Sequence, residues 1–275
     1  MHSQGVGCRS VAQLDEPRIA QAAAYWRRAR CVVALTGAGL STGSGLPDFR
    51  SPGAGLWRGG TTTGADPMVV ASQQTFRYAP ETFFAWVRPL AGQIRRAQPN
   101  RAHQALAQLE AQGRLQTVIT QNVDELHRRA GSQRVLELHG SLRTATCVRC
   151  LRTWPAGELV DRFVASGDLP HCPACGALLK PDVTLMGEAL SVTIWHQARQ
   201  AARACDLMLV AGSSLEVTPA AGLPLEALAH GARLIIVNHE DTYLDERADV
   251  VIHADVVDVL PQLARAVESL DAAGE

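Results

Sequence analysis

The chain has 275 residues, 47% of them hydrophobic and 19% charged, enough apolar content for a sizeable core and too much for a disordered chain. With 26 Lys plus Arg against 27 Asp plus Glu, the formal charge is −1, so no global field draws the chain to nucleic acid or anionic lipid. No apolar run approaches the length needed to span a bilayer, and Met1 to Asp15 lacks the apolar core of a signal peptide. Seven cysteines, an odd number, argue against an extracellular disulfide framework. The expectation is a cytoplasmic protein with reduced thiols and neither a membrane nor a direct nucleic-acid partner.

In chain order, Arg18 to Arg30 reads as an Ala-rich helix, followed by the apolar run Cys31 to Thr36. Gly37-Ala38-Gly39 comes next, then Ser41, a helix N-cap by type. Glycines after a buried strand allow close approach of a pyrophosphate, which a helix N-terminus also favours. The dehydrogenase fingerprint G-x-G-x-x-G is missed, because Thr42 holds the third glycine slot, and a ligand-free tight turn is the alternative. Gly45-Leu46-Pro47-Asp48-Phe49-Arg50 then places an acid, an aromatic and a base in one rigid loop.

Thr61 to Asn100 holds aromatic residues but no strand signal, and reads as a helical lobe over the sheet. A helix is expected over His103–Gln112 and a strand over Thr117–Thr120. Thr120-Gln121-Asn122-Val123-Asp124 closes that strand with polar groups, which a parallel sheet would deliver into a ligand crevice. Glu137-Leu138-His139-Gly140 ends a short apolar run, and an imidazole there suits proton transfer near neutrality. A hydrogen-bonded structural histidine is the alternative for His139; His103 and His127, on helical stretches, read as structural.

Arg143 to Val183 has few apolar runs and two C-x-x-C pairs, Cys147/Cys150 and Cys172/Cys175, separated by 21 residues. Two such knuckles complete a tetrahedral thiolate site for Zn²⁺, and four protein ligands leave no open position, so the metal is structural. Redox dithiols and coincidental cysteines are the alternatives, and His171 is a competing ligand. Beyond it come a helix over Thr193–Ala204, a strand over Leu207–Ala211 and a helix over Ala220–His230. Short strands at Leu234–Val237 and Val250–Ile252 complete the series. Buried runs alternating with helices give an α/β, Rossmann-like parallel sheet, with a small inserted zinc-binding module and a helical lobe.

These blocks, in this order, resemble the sirtuin family of NAD-dependent protein lysine deacylases. The matching segments are GAGLSTGSGLPDFRSPGAGLW (37–57), PNRAHQALAQLE (99–110), TQNVDELHRRAG (120–131) and ELHGSL (137–142). The four cysteines, KPDVTLMGEAL (180–190), GSSLEVTPAA (212–221) and Ile236-Val237-Asn238 continue them. The resemblance implies one catalytic domain over 17–272. Its NAD-binding lobe would be 17–60, 101–142 and 184–272, its helical insertion 61–100 and its zinc module 143–183.

It implies NAD as a consumed co-substrate, with Ala38, Leu46, Phe49, Asn122, Val123 and Asp124 around the nicotinamide. Gly37, Asp48, Arg50 and Gln121 would hold the rest of the extended cofactor, with Gly212, Ser213, Ser214, Asn238 and Val256 toward its adenosine half. His139 would be the general base and Asn122 the second catalytic residue. The acyl-lysine peptide would lie between Met186-Gly187-Glu188 and Leu215-Glu216-Val217, as a strand between two extended segments.

Two departures bear on the acyl group. Met186 stands where family members commonly have Phe. Phe84-Ala85-Trp86-Val87 replaces the Tyr-x-x-Arg that holds acidic acyl groups, with Arg88 one position away. Neutral groups, acetyl or longer, are therefore favoured. A mono-ADP-ribosyltransferase and a nucleotide-binding zinc-ribbon module are the competing readings.

Overall fold

The computed structural model describes residues 15–48 and 66–269. Helix α1 (Glu16–Arg28) starts where Asp15 accepts from the Arg18 N–H and Pro17 occupies the first turn. Strand β1 (Val32–Thr36) follows, buried throughout. Two short 3₁₀ turns, Ala38–Leu40 and Thr42–Ser44, then replace the expected regular helix. Ser41 makes no cap bond there, and Gly45 at φ 80° ends the second turn. The hydroxyl of Ser41 is committed to Asp124 instead.

The chain continues through α2 (Pro67–Val70), α3 (Gln73–Tyr78), α4 (Pro80–Arg96), α5 (Arg101–Ala111), β2 (Thr117–Thr120), α6 (Leu126–Arg129) and β3 (Val135–Glu137). Next come β4 (Gly140–Cys147), β5 (Thr153–Pro155), α7 (Gly157–Ser166) and β6 (Leu179–Val183). The last part holds α8 (Val192–Ala204), β7 (Leu207–Ala211), α9 (Leu223–Ala229), β8 (Arg233–Val237), β9 (Val250–Ile252) and α10 (Val256–Ser269). Ahead of α9, the expected helix opens as a 3₁₀ turn at Ala220–Gly222, and Pro224 stands in the first turn of the helix proper.

Six strands form a parallel sheet in the order β3-β2-β1-β7-β8-β9. Helices α1, α5 and α10 cover one face, where Trp26, Leu106 and Leu263 join the core. Helices α8 and α9 cover the other, with Ala198, Ala202 and Leu223. Burial on both faces explains why the strands are continuous apolar runs rather than alternating ones. Among the described residues, no helix is long and apolar enough to cross a membrane.

A second, antiparallel sheet has the order β5-β4-β6 and carries α7. It packs against α3 and α4 through a shared cluster of Phe76, Phe83, Phe84, Phe163 and Leu185, with Phe84 and Phe163 edge to face at 5.3 Å. Arg95 pairs with Asp161 at 2.7 Å, and Arg88 donates to the carbonyls of Val164 and Ala165 near the end of α7. The two insertions therefore make a single small lobe. Strand β4 begins at Gly140 and so crosses the expected edge of the zinc module at residue 143.

Candidate active site

Strand register places the site. Thr36 pairs with both Thr120 and Ala211, Thr120 with Glu137, and Ala211 with Val237. The residues that follow, Gly37, Gln121, Leu138, Gly212 and Asn238, therefore leave the sheet at one level. The chain runs outward from β1 through β2 to β3, then returns on the far side at β7. The gap between β1 and β7 is a topological switch point, where open α/β sheets bind ligands. A cleft of about 1050 Å³ opens there, between these strand exits and the small lobe.

Its floor is a close crossing of two glycine turns. A Cβ on Gly212, at φ 62°, would collide with the Leu40 backbone nitrogen, so neither turn tolerates a larger residue at that contact. Gln121 ties the floor together. Its N–H donates to the Thr36 carbonyl, its Nε2 to Ser213 Oγ at 3.0 Å, and its carbonyl accepts from His139 Nδ1 at 2.8 Å. Because a carbonyl only accepts, Nδ1 carries the proton and Nε2 is left basic toward the cleft. Burial lowers the His139 pKa, opposed by this backbone bond.

Asn122 Nδ2 donates to the Gly37 carbonyl at 3.0 Å and contacts Ser41 Oγ at 3.1 Å. Its orientation is fixed by that carbonyl, so its own Oδ1 is the atom left to face a ligand. Ser41 Oγ in turn donates to Asp124 Oδ2 at 2.6 Å, and Asp124 Oδ1 accepts from the Leu126 N–H. Burial pushes the Asp124 carboxyl up, and these two bonds pull it back.

Gly37, Ala38, Asp48, Gln121, Asn122, Val123 and His139 line the cleft, as do Gly212, Ser213, Ser214, Asn238 and Val256 farther along. Leu46 and Asp124 stand behind the wall: Leu46 packs with Ile94, Ala97 and Leu126, and Asp124 is held by Ser41. Phe49 and Arg50 lie outside the described residues.

Met186, Gly187, Glu188, Glu216 and Val217 face the cleft, but not as two straight extended segments. Gly187 has φ 87° and Leu215 φ 56°, so each segment bends. The Leu215 side chain is buried in the sheet core. The Glu188 carboxylate turns back to Lys180 Nζ at 3.0 Å and to the Leu185 N–H.

Of the residues the sequence sets at the acyl group, Trp86, Val87 and Met186 line the apolar side of the cleft, while Phe84 is buried in the lobe core; the full extent of that side is a finding of the structure. Together with Val183, Leu185 and Met186, it is formed by Phe83, Trp86, Val87, Leu90, Ala91 and Ile94 of α4. Their spacing along one helix face was the available signal.

At the outer end of the small lobe, Cys147 and Cys175 Sγ lie 3.4 Å apart, Cys150 and Cys172 Sγ 3.7 Å. All four sulfurs fall within 4.8 Å of one another. These gaps are too long for disulfides and close to the ~3.8 Å edge of a tetrahedron with Zn–S bonds of about 2.3 Å. Arg149 and Cys150 N–H groups point at Cys147 Sγ. The set fits Zn²⁺ and leaves it no open position. The His171 ring is held by the Leu169 carbonyl and is not one of the clustered groups. Cys31 and Cys205 lie at the opposite end of the sheet as thiols, burial pushing Cys205 up to about 12.

Residues 37–219 match the family model described as Sir2 family. The chain belongs to the Sir2 family. It is 44% identical over 243 residues to NAD-dependent protein deacetylase 1 of Geobacillus kaustophilus (strain HTA426), covering 88% of this chain and 96% of that one. A Sir2 enzyme solved in work on the mechanism and regulation of these enzymes superposes with a TM-score of 0.84, at 42% identity over 93% of this chain and 99% of that one. Another, solved with a p53 peptide and NAD⁺, gives 0.78 at 37% identity, over 91% and 97%.

Proposed function

We infer that the protein removes acyl groups from lysine side chains of proteins, with NAD as co-substrate. The reaction consumes one water and yields free lysine, nicotinamide and O-acyl-ADP-ribose. The observation that carries this reading is the His139–Gln121 pair. It sets a neutral imidazole, Nε2 outward, beside the glycine crossing and the Asn122 amide.

The dinucleotide supplies a glycosidic bond whose cleavage gives an oxocarbenium-like carbon. Gly37, Ala38 and Gly212 allow its pyrophosphate to approach the backbone, with Ser213, Ser214, Asn238 and Val256 along the remaining length. Asn122 Oδ1 and Val123 face the nicotinamide end. After the acyl oxygen has displaced nicotinamide, a ribose hydroxyl must lose its proton to attack the imidate carbon. His139 Nε2 takes that proton, and burial keeps the ring neutral to receive it. The apolar face of α4 excludes water from the intermediate. The peptide backbone pairs with the 186–188 and 216–217 segments. We read residues 17–272 as one catalytic domain on this basis.

Arg88 favours neutral acyl groups, acetyl and longer, over acidic ones. Its guanidinium donates to Val164 and Ala165 carbonyls, away from the cleft, and Phe83, Trp86, Val87 and Leu90 offer an acyl carboxylate no cation.

The test is incubation with NAD and an acetyl-lysine peptide, following nicotinamide release and product masses. O-acetyl-ADP-ribose is the expected product. ADP-ribose left on protein would replace the reading by ADP-ribosyl transfer, and unchanged NAD with every acyl-peptide would overturn both.

A further inference from the structure

Pro99-Asn100-x-x-His103 opens α5, and neither the cofactor roles nor the peptide roles above use it. Asn100 is the N-cap of that helix: its Oδ1 accepts from the N–H of Ala102 at 2.9 Å and of His103 at 3.3 Å. Backbone N–H groups only donate, so the amide orientation is fixed and Nδ2 faces the other way. There it donates to the Leu40 carbonyl at 2.8 Å and to Ser44 Oγ at 3.0 Å. The glycine-rich loop after β1 is built from two separate 3₁₀ turns, and the Leu40 carbonyl sits at the break between them. A regular helix would satisfy that carbonyl from within; here a side chain 60 residues away does so.

The amide is itself held from behind. His103 Nδ1 lies 3.0 Å from Asn100 Oδ1, so Nδ1 is the protonated nitrogen. The ring is wholly buried, edge to face with His127 at 5.0 Å, and His127 Nε2 lies 2.8 Å from Thr36 Oγ1 at the end of β1. The loop also presses on this support: a Cβ on Gly43 would stand 3.3 Å from Asn100 Nδ2 and 2.5 Å from Val257 Cγ2.

We propose that Asn100 is a positioning residue for the dinucleotide, its amide clamping the middle of the glycine-rich loop while His103 locks the amide. The role rests on the NAD-dependent reading above. Gly37, Ala38 and Asp48 flank the clamped segment and line the cleft, so loosening it weakens dinucleotide binding without moving His139 or the peptide segments.

Asn100→Ser separates clamp from cap, since serine keeps a good cap acceptor but lacks the two amide hydrogens that reach the loop. Binding of ADP-ribose, measured by calorimetry, is expected to weaken about tenfold, and KM for NAD to rise by a similar factor. The kcat and the peptide KM are expected to stay near wild type, and whatever fall in unfolding midpoint the unpaired Leu40 carbonyl brings is expected to leave the peptide KM unmoved. Ser44→Ala is expected to weaken ADP-ribose binding in the wild type and to add little on the Asn100→Ser background. Unchanged ADP-ribose affinity in Asn100→Ser overturns the proposal, and so does a fall in unfolding midpoint that carries both KM values with it. Fully additive effects of the two substitutions overturn it as well. ADP-ribose binding reports on the clamp even if wild-type protein fails to turn over, so failure of the catalytic reading is seen separately.

Discussion

Ser41 and Asp124, 83 residues apart in the chain, meet through a 2.6 Å hydrogen bond inside the cleft wall. The bond keeps a buried carboxylate satisfied and fixes the hydroxyl that Asn122 also contacts. Ser41→Ala is expected to cost about 1–3 kcal/mol in denaturant unfolding at neutral pH, because the carboxylate is left short of a donor in a dry site. KM for NAD should rise in the same protein. Unfolding identical to wild type would show that the bond carries no weight.

His139 is expected to act as a base, with a pH dependence of matching sign. Its pKa is lowered by burial, so the neutral ring persists below the usual histidine midpoint. The value of kcat/KM for NAD should be flat through neutrality and fall only below about pH 6.5. An acid limb centred above that value contradicts the assignment. His139→Ala should lower turnover by about 10²–10⁴ with the fold intact by circular dichroism.

Acid stability follows from the buried imidazole pair. Burial lowers His103 to about 4 and His127 in the same direction. The unfolded chain then binds more protons than the native one, so stability falls as pH drops from about 6.5 toward 4. The His103 shift alone corresponds to roughly 3 kcal/mol at the acid end. Urea midpoints measured across that window should fall, and in His103→Gln they should fall less steeply.

Acyl selectivity can be read in a competition between acetyl-, decanoyl- and succinyl-lysine peptides. Succinyl turnover is expected at least about tenfold below acetyl, for want of a cation in the apolar wall. Val87→Arg, which brings a guanidinium to a position lining the cleft, should narrow that gap. Efficient desuccinylation by the wild type would refute the Arg88 argument.

One zinc per chain is expected by metal analysis. Cys147→Ala should lose it together with cooperative unfolding of the small lobe, because Cys147 and Cys172 are core residues of that lobe as well as ligands. A folded variant retaining stoichiometric metal would exclude the four-thiolate site.

The features legible in the sequence are those whose cause is local. Strands buried on both faces must be apolar along their whole length, which makes Leu207–Ala211 recognisable without its neighbours. A C-x-x-C knuckle is likewise complete within four residues. What escaped depends on distant partners. Ser41 has the side chain of a helix cap, but Asp124 claims its hydroxyl. Leu215 sits between wall residues, yet φ 56° turns it into the core, and Lys180 draws Glu188 away from the cleft. The apolar wall of α4 has the same periodicity as any core-facing helix. Only the packed lobe shows that this face borders an open cleft.

The bonds from Arg88 and Arg95 to α7, with the Phe84–Phe163 contact, stitch two separate stretches of chain into one body. Among the described residues the molecule thus has two jaws rather than three. A ligand that spreads them works along a single seam at the strand exits. Damage at the metal knuckles and damage in α4 reach the acyl chain by the same route.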